Sequence, residues 1–204
     1  MADITLDRRE LLPALFPDPA EYLMVSGLAG ASRDAAALTR EADYLFTMGG
    51  AMGAAVSIGL GMALCAPDRK VAVITGDGEL LMNIGCLATV ATAAPNNLSI
   101  VCIDNGRHGE TGGQAGHTAE RTNLEIMAQG AGIASTLTVS SPEELAAAAR
   151  FLAESPAPRF LWARVMPGPP SDWKRNWNLA DCRTRFRDAY LGQYPIKLNR
   201  AGSV

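Results

Sequence analysis

Apolar residues in this chain are concentrated in short dense runs, separated by longer helix-forming stretches and by glycine-rich loops. The runs 21–26 (EYLMVS), 70–75 (KVAVIT), 98–104 (LSIVCID), 136–139 (TLTV) and 160–165 (FLWARV) are apolar at most positions. They predict strands buried on both faces. The stretches 32–39, 54–65, 79–94, 123–131 and 142–154 predict helices. Ser32 and Ser141 stand at cap positions, Glu144 follows Ser141 by three residues, Pro95 ends the third helix and Gly132 stops the fourth. Loops 44–53 and 105–118 are rich in glycine. Apolar strands alternating with helices define an α/β fold: a doubly wound, mostly parallel sheet with helices on both faces. Ligands of such sheets bind beyond the carboxyl ends of the strands. That directs attention to the loops after Ser26, Thr75 and Asp104.

The chain has 204 residues, of which 48% are apolar, and a net charge of −3. This length suits one domain with a full core. The charge gives no basis for binding nucleic acid or an anionic membrane. The polar, charged start is unlike a signal peptide, and the apolar run 51–65 is short and interrupted by glycines, so a cytoplasmic protein is expected. The four cysteines are widely spaced; Cys65, Cys86 and Cys102 lie in apolar runs and read as buried free thiols. Composition shifts after Val165. Residues 1–166 read as the α/β domain. The tail 167–204, with Trp173, Arg175, Trp177, Arg183, Arg185, Phe186, Arg187 and Tyr190, is expected to pack on its own domain or on a partner.

The strongest chemical signal is Gly76-Asp77-Gly78, between a predicted strand and a predicted helix. The glycines permit a sharp turn and close approach to a ligand, and helix-start N–H groups suit a diphosphate. Asp77 offers a hard oxygen to a magnesium ion on that diphosphate. Taken alone, the tripeptide is equally a tight turn. The next strand ends in Asp104-Asn105-Gly106, and Asn105 follows Asp77 by 28 positions. One strand–helix–strand unit has about that length, so both side chains reach neighbouring strand tips.

The pairing of Gly-Asp-Gly with a downstream Asn resembles the fingerprint of thiamine-diphosphate enzymes. The stretches GDGELLMNIGCLATVA, IDNGRHGETGGQ, GGAMGAAVSIGLGMAL and VSGLAGASRD are similar to the β subunits of phosphonopyruvate and sulfopyruvate decarboxylases. The resemblance covers about residues 21–165. It implies thiamine diphosphate and magnesium as cofactors, with Asp77 and Asn105 as side-chain metal ligands and Arg107 contributing its backbone carbonyl. It makes Met52 the wedge under the thiazolium and gives the Gly50 carbonyl to the 4′-amino group. It places Gly27, Gly78 and Glu79 at the diphosphate. His108, three residues after Asn105, is expected to face the substrate as the candidate catalytic residue. Thr111, Gly112, Gly113 and Gln114 form either an anion-binding turn or an ordinary loop. Two positions depart from the family: Ala29 stands where Gly is usual, and Glu79 puts a carboxylate beside a diphosphate, which is unfavourable unless it points away or is paired.

The resemblance also implies a partner. The glutamate that activates the cofactor belongs to a separate pyrimidine-binding domain, expected here on an α subunit, so a hetero-oligomer acting on a small anionic 2-oxoacid is anticipated. A carboligase, a 2-oxoacid oxidoreductase β subunit and a non-catalytic cofactor-binding scaffold are the alternatives.

Overall fold

The computed structural model describes residues 3–193. The last eleven residues of the tail lie outside this range. Six strands form one parallel sheet: β1 (Tyr22–Ser26), β2 (Leu45–Thr47), β3 (Lys70–Gly76), β4 (Leu98–Asp104), β7 (Ser135–Val139) and β8 (Arg159–Arg164). Their spatial order is β2-β1-β3-β4-β8-β7. Strands β5 (Arg107–His108) and β6 (Gln114–Ala115) form a separate small hairpin.

The sheet is covered on both sides, as a doubly wound fold requires. Alternate strand residues point to opposite faces. Leu23, Val25, Val71, Val73, Ile100 and Trp162 pack against α3 (Ala55–Cys65), α5 (Cys86–Ala93) and α6 (Leu124–Gly130). Met24, Ala72, Ile74, Val101 and Leu161 pack against α1 (Arg8–Leu15), α2 (Ala29–Thr39) and α7 (Leu145–Glu154). The chain moves outward from β1 to β2 and returns across β1 to β3. This places a topological switch, and therefore a crevice, between the carboxyl ends of β1 and β3.

Several expectations require correction. The helix expected over 79–94 is two helices, α4 (Asp77–Leu81) and α5, separated by turns at Met82–Gly85. Loop 44–53 contains the edge strand β2. Ser32 is not a cap: Leu28 precedes the helix, and the Ser32 hydroxyl donates to the Ala29 carbonyl at 3.0 Å. Ala29 adopts a φ of 56°, a left-handed conformation that explains why glycine would be easier there. Cys65 is exposed rather than buried. Helix α1 was not anticipated from the sequence; Asp7 caps it through the Arg9 N–H, and Leu11, Leu12 and Leu15 bury its inner stripe. Arg8 joins it to α2 through a buried ion pair with Asp34 at 2.7 Å. The capping box at Ser141 and Glu144 is present and leads into α7. Among the described residues, no helix is long and apolar enough to cross a membrane.

Candidate active site

The loops after β1, β2, β3 and β4 lie side by side along the carboxyl edge of the sheet. The β3–β4 register pairs Gly76 with Ile103, so Asp77 leaves its strand beside Asp104 and Asn105 follows one position later. Asp77 and Asp104 are both buried, at 5% and 3% exposure. Asp104 is well supplied with donors. Its Oδ1 accepts from the Gly106 N–H and the Thr118 hydroxyl, and its Oδ2 from the Trp162 indole, each at 2.7 Å. The same Thr118 hydroxyl lies 3.3 Å from Asp77 Oδ2. Burial, and then the neighbouring Asp104 charge, push the Asp77 carboxyl up to about 7.

Two adjacent buried carboxylates, one of them held well above the usual aspartate range by burial and by the other's charge, form a site suited to a cation. Among the described residues, no three His, Cys, Asp or Glu side chains converge as a self-sufficient metal centre needs. The donor set therefore fits a hard cation that brings its own oxygen ligands, as magnesium on a diphosphate does. Asn105 and Arg107 stand in the same turn. Asn105 Oδ1 accepts the Arg107 N–H at 3.1 Å, and the Arg107 guanidinium turns away to the Gly113 carbonyl at 3.0 Å. Only the main chain of Arg107 remains available to a metal.

The Glu79 carboxylate is buried against the loop after β1 and is half satisfied, its Oε1 finding no partner. Its Oε2 accepts from the Leu28 N–H at 3.0 Å and the Thr75 hydroxyl at 3.1 Å. A methyl group on Gly27 would sit 1.8 Å from that oxygen. The carboxylate thus braces the loop after β1 instead of reaching outward. Of the two cases the sequence left open, pointing away or being paired, the side chain shows the first, and residue 79 can offer a bound phosphate its backbone N–H.

Gly78 lies beneath His108; a methyl there would be 3.5 Å from the imidazole Nδ1 and Cε1. His117 stands edge-on to His108 with ring centroids 6.2 Å apart. Residues 109–113 form the tip of the β5–β6 hairpin, closed by Gly113 N–H donating to the His108 carbonyl at 2.9 Å. The hairpin is thus a built flap beside the aspartates. On the β8 side, a cavity of about 250 Å³ is lined by Asp104, Asn105, Thr118, Arg164 and Val165 among others.

The loop after β2 carries Gly50 and Met52. Met52 is 49% exposed, so it is not a core-packing residue of this chain. Ala51 holds a φ of 59° beside it. Asp104, Thr118 and Trp162 were missed as a unit by sequence reasoning. The only signal was an acidic residue ending an otherwise apolar strand.

Comparison with known proteins identifies the family. The family model described as thiamine pyrophosphate enzyme, C-terminal TPP binding domain, matches residues 29–162. A sulfopyruvate decarboxylase subunit beta from Methanocaldococcus jannaschii is 49% identical over 105 residues, covering 52% of this chain and 55% of that protein. Another, from Methanococcus maripaludis, is 30% identical over 184 residues, covering 90% of this chain and 97% of that one. The chain thus spans about half of the first relative and nearly all of the second. A solved structure from Mycobacterium smegmatis, described as a thiamin diphosphate-dependent enzyme, superposes with a TM-score of 0.63 at 21% identity, over 80% of this chain and 32% of that one. That likeness concerns the fold.

Proposed function

This chain belongs to the thiamine pyrophosphate enzyme family, whose C-terminal TPP binding domain it carries, and from that premise we propose that it is the β subunit of a heteromeric 2-oxoacid decarboxylase of the sulfopyruvate or phosphonopyruvate kind. The observation that carries the proposal is the buried Asp77–Asp104 pair beside Asn105, at the carboxyl edge of the sheet and next to its switch crevice. In this reading Asp77, Asn105 and the Arg107 carbonyl hold magnesium. Gly78 and the backbone of residues 27 and 79 receive the diphosphate. The Gly50 carbonyl orients the aminopyrimidine, and Met52 sets the bend. Bound thiamine diphosphate supplies the electron sink for loss of carbon dioxide. The protein's own contribution is orientation: a cofactor anchored at one end and wedged at the middle has its reacting atoms fixed before substrate arrives. An α subunit brings the pyrimidine-binding domain and its glutamate.

The direct test is calorimetric titration of thiamine diphosphate with magnesium into the chain, alone and with the candidate α partner, followed by carbon dioxide release from sulfopyruvate. Tight, magnesium-dependent binding in the mixture supports the reading. Absence of binding in both samples would overturn it.

His108 and His117 are the chain's only histidines, and they meet at the mouth of this site. In this reading both rings would donate to the second anionic group of such a substrate. The His108→Phe and His117→Ala variants are each expected to lower kcat/KM for sulfopyruvate by about 10–100-fold, the range of one or two lost hydrogen bonds to a charged group. Cofactor affinity should hardly change. Steady-state kinetics beside calorimetry separates the two, and unchanged kcat/KM in both variants would remove the pair from the substrate site.

A further inference from the structure

Within the described residues, the stretch after β8 crosses α2 and ends against the loop that follows β2. The Ser171 N–H donates to Asp34 Oδ1 at 2.7 Å, and the Asn176 N–H to Glu41 Oε1 at 2.8 Å. Arg175 donates from Nη1 to the Ser32 hydroxyl at 2.6 Å and from Nη2 to the Met48 carbonyl at 3.0 Å. Leu179 rests on Gly49 so closely that a methyl on that glycine would lie 2.1 Å from the leucine Cδ1. Helix α8 (Leu179–Gln193) then lies along the edge strand, where Phe186 meets Phe46 edge-on at 5.6 Å.

Arg175 is the unusual member. It is 5% exposed. Its acceptors are a hydroxyl and a carbonyl, its Nε has no partner, and the Trp177 ring covers it at 4.3 Å. A guanidinium buried against neutral acceptors gains little net stability, because desolvation offsets its hydrogen bonds. What it does accomplish is local. It fixes the Met48 carbonyl, immediately before the exposed residues 49–52. The remaining anchors of that loop are at its ends: Met48 N–H to the Ser26 carbonyl at 3.1 Å, and Asn83 Nδ2 to the Gly53 carbonyl at 3.1 Å.

We propose that Arg175 and Leu179 are positioning residues of the cofactor site, the tail acting as a clamp that holds loop 48–53, and with it Gly50 and Met52, in register with the β3 and β4 loops. The proposal rests on the reading of that loop as the cofactor's central support. A domain boundary drawn after Met166 on composition therefore separates two parts of one site.

The test follows hydrogen exchange in loop 48–53 of the full chain, together with affinity for thiamine diphosphate and magnesium in the assembly with the α partner. In Arg175→Met, exchange of the loop amides is expected to rise tenfold or more while β3 and β4 stay unchanged, and the cofactor Kd to rise about tenfold. Arg175→Lys, which can reach one acceptor but not both, should fall between. Leu179→Ala, at a side chain 39% exposed, should give a several-fold version of both effects, and it decides the matter if Arg175→Met fails to fold. Unchanged loop exchange in these variants overturns the clamp. A loosened loop with unchanged cofactor affinity overturns its positioning role. In the unaltered assembly the cofactor must itself slow exchange in 48–53. If it does not, the reading of the loop fails, and the proposal with it, whatever the variants do.

Discussion

Asp77→Asn is expected to abolish magnesium-dependent binding of thiamine diphosphate while raising the melting temperature of the ligand-free chain. Both effects arise from one cause. Burial and the adjacent Asp104 hold the Asp77 carboxyl at about 7, against 3.8 for an unperturbed aspartate. Between those values the folded state binds more protons than the unfolded state, so the stability of the ligand-free chain falls as pH rises from about 4 to about 7. At pH 8 the folded protein carries the full penalty, on the order of 1–3 kcal/mol for a carboxylate pair that shares its strain. A neutral amide of the same shape removes it, which for a chain of this size raises Tm by roughly 3–8 °C. The same amide offers magnesium no negative oxygen, so the cofactor Kd should rise by about 100-fold or more. Thermal melts at pH 5 and pH 8 check the linkage: the gain should be large at pH 8 and small at pH 5. Equal gains at both would mean that electrostatic strain at Asp77 is not the cause. Retained magnesium-dependent binding would remove Asp77 from the metal site.

The strands β1, β3, β4 and β8 were legible because they are buried on both faces along most of their length, and such strands declare themselves by composition, whereas β7 is only half-buried at four of its five positions. Gly76-Asp77-Gly78 and Asn105 were legible for a different reason: a strand–helix–strand unit has a narrow range of lengths, so spacing along the chain becomes proximity in space. What stayed hidden depended on contacts between distant segments. Asp104 accepts from Trp162, 58 residues away, and Arg175 donates to Met48, 127 residues away. No local pattern encodes either contact. The three-residue strand β2 was lost among glycines because an edge strand that short has no periodicity to read. The direction of the Glu79 side chain stayed open for a related reason. Its partners, Leu28 and Thr75, belong to two different strand ends, and only the sheet order brings them together.

Asp104→Asn, the same substitution one strand over, is expected to act in the opposite direction and destabilise the chain. Asp104 differs from Asp77 in where its donors come from: Gly106, Thr118 and Trp162, on three separate segments, converge on its two oxygens, whereas Asp77 takes the N–H groups of its own turn, from Asp77 and Gly78, and a longer contact from Thr118. An amide has one oxygen. Whichever way it turns, its N–H₂ confronts at least one of these buried donors, leaving an N–H or O–H without an acceptor. That costs about 2–4 kcal/mol, and Tm should fall by on the order of 10 °C. The Gly106 contact also closes the turn that presents Asn105 and the Arg107 carbonyl, so the metal site loosens although Asp104 is not itself read as a ligand. Magnesium affinity in the presence of the cofactor should drop about tenfold or more, in the range seen when groups supporting metal ligands are removed. A double-mutant cycle with Thr118→Val, followed by thermal melts, isolates the hydroxyl's share, because valine removes the donor at nearly constant volume. If Asp104→Asn were instead to stabilise the chain as Asp77→Asn does, repulsion between the two carboxylates would outweigh the donors at both positions. The separation of roles, one aspartate facing the cation and the other holding the turn beneath it, would then be wrong.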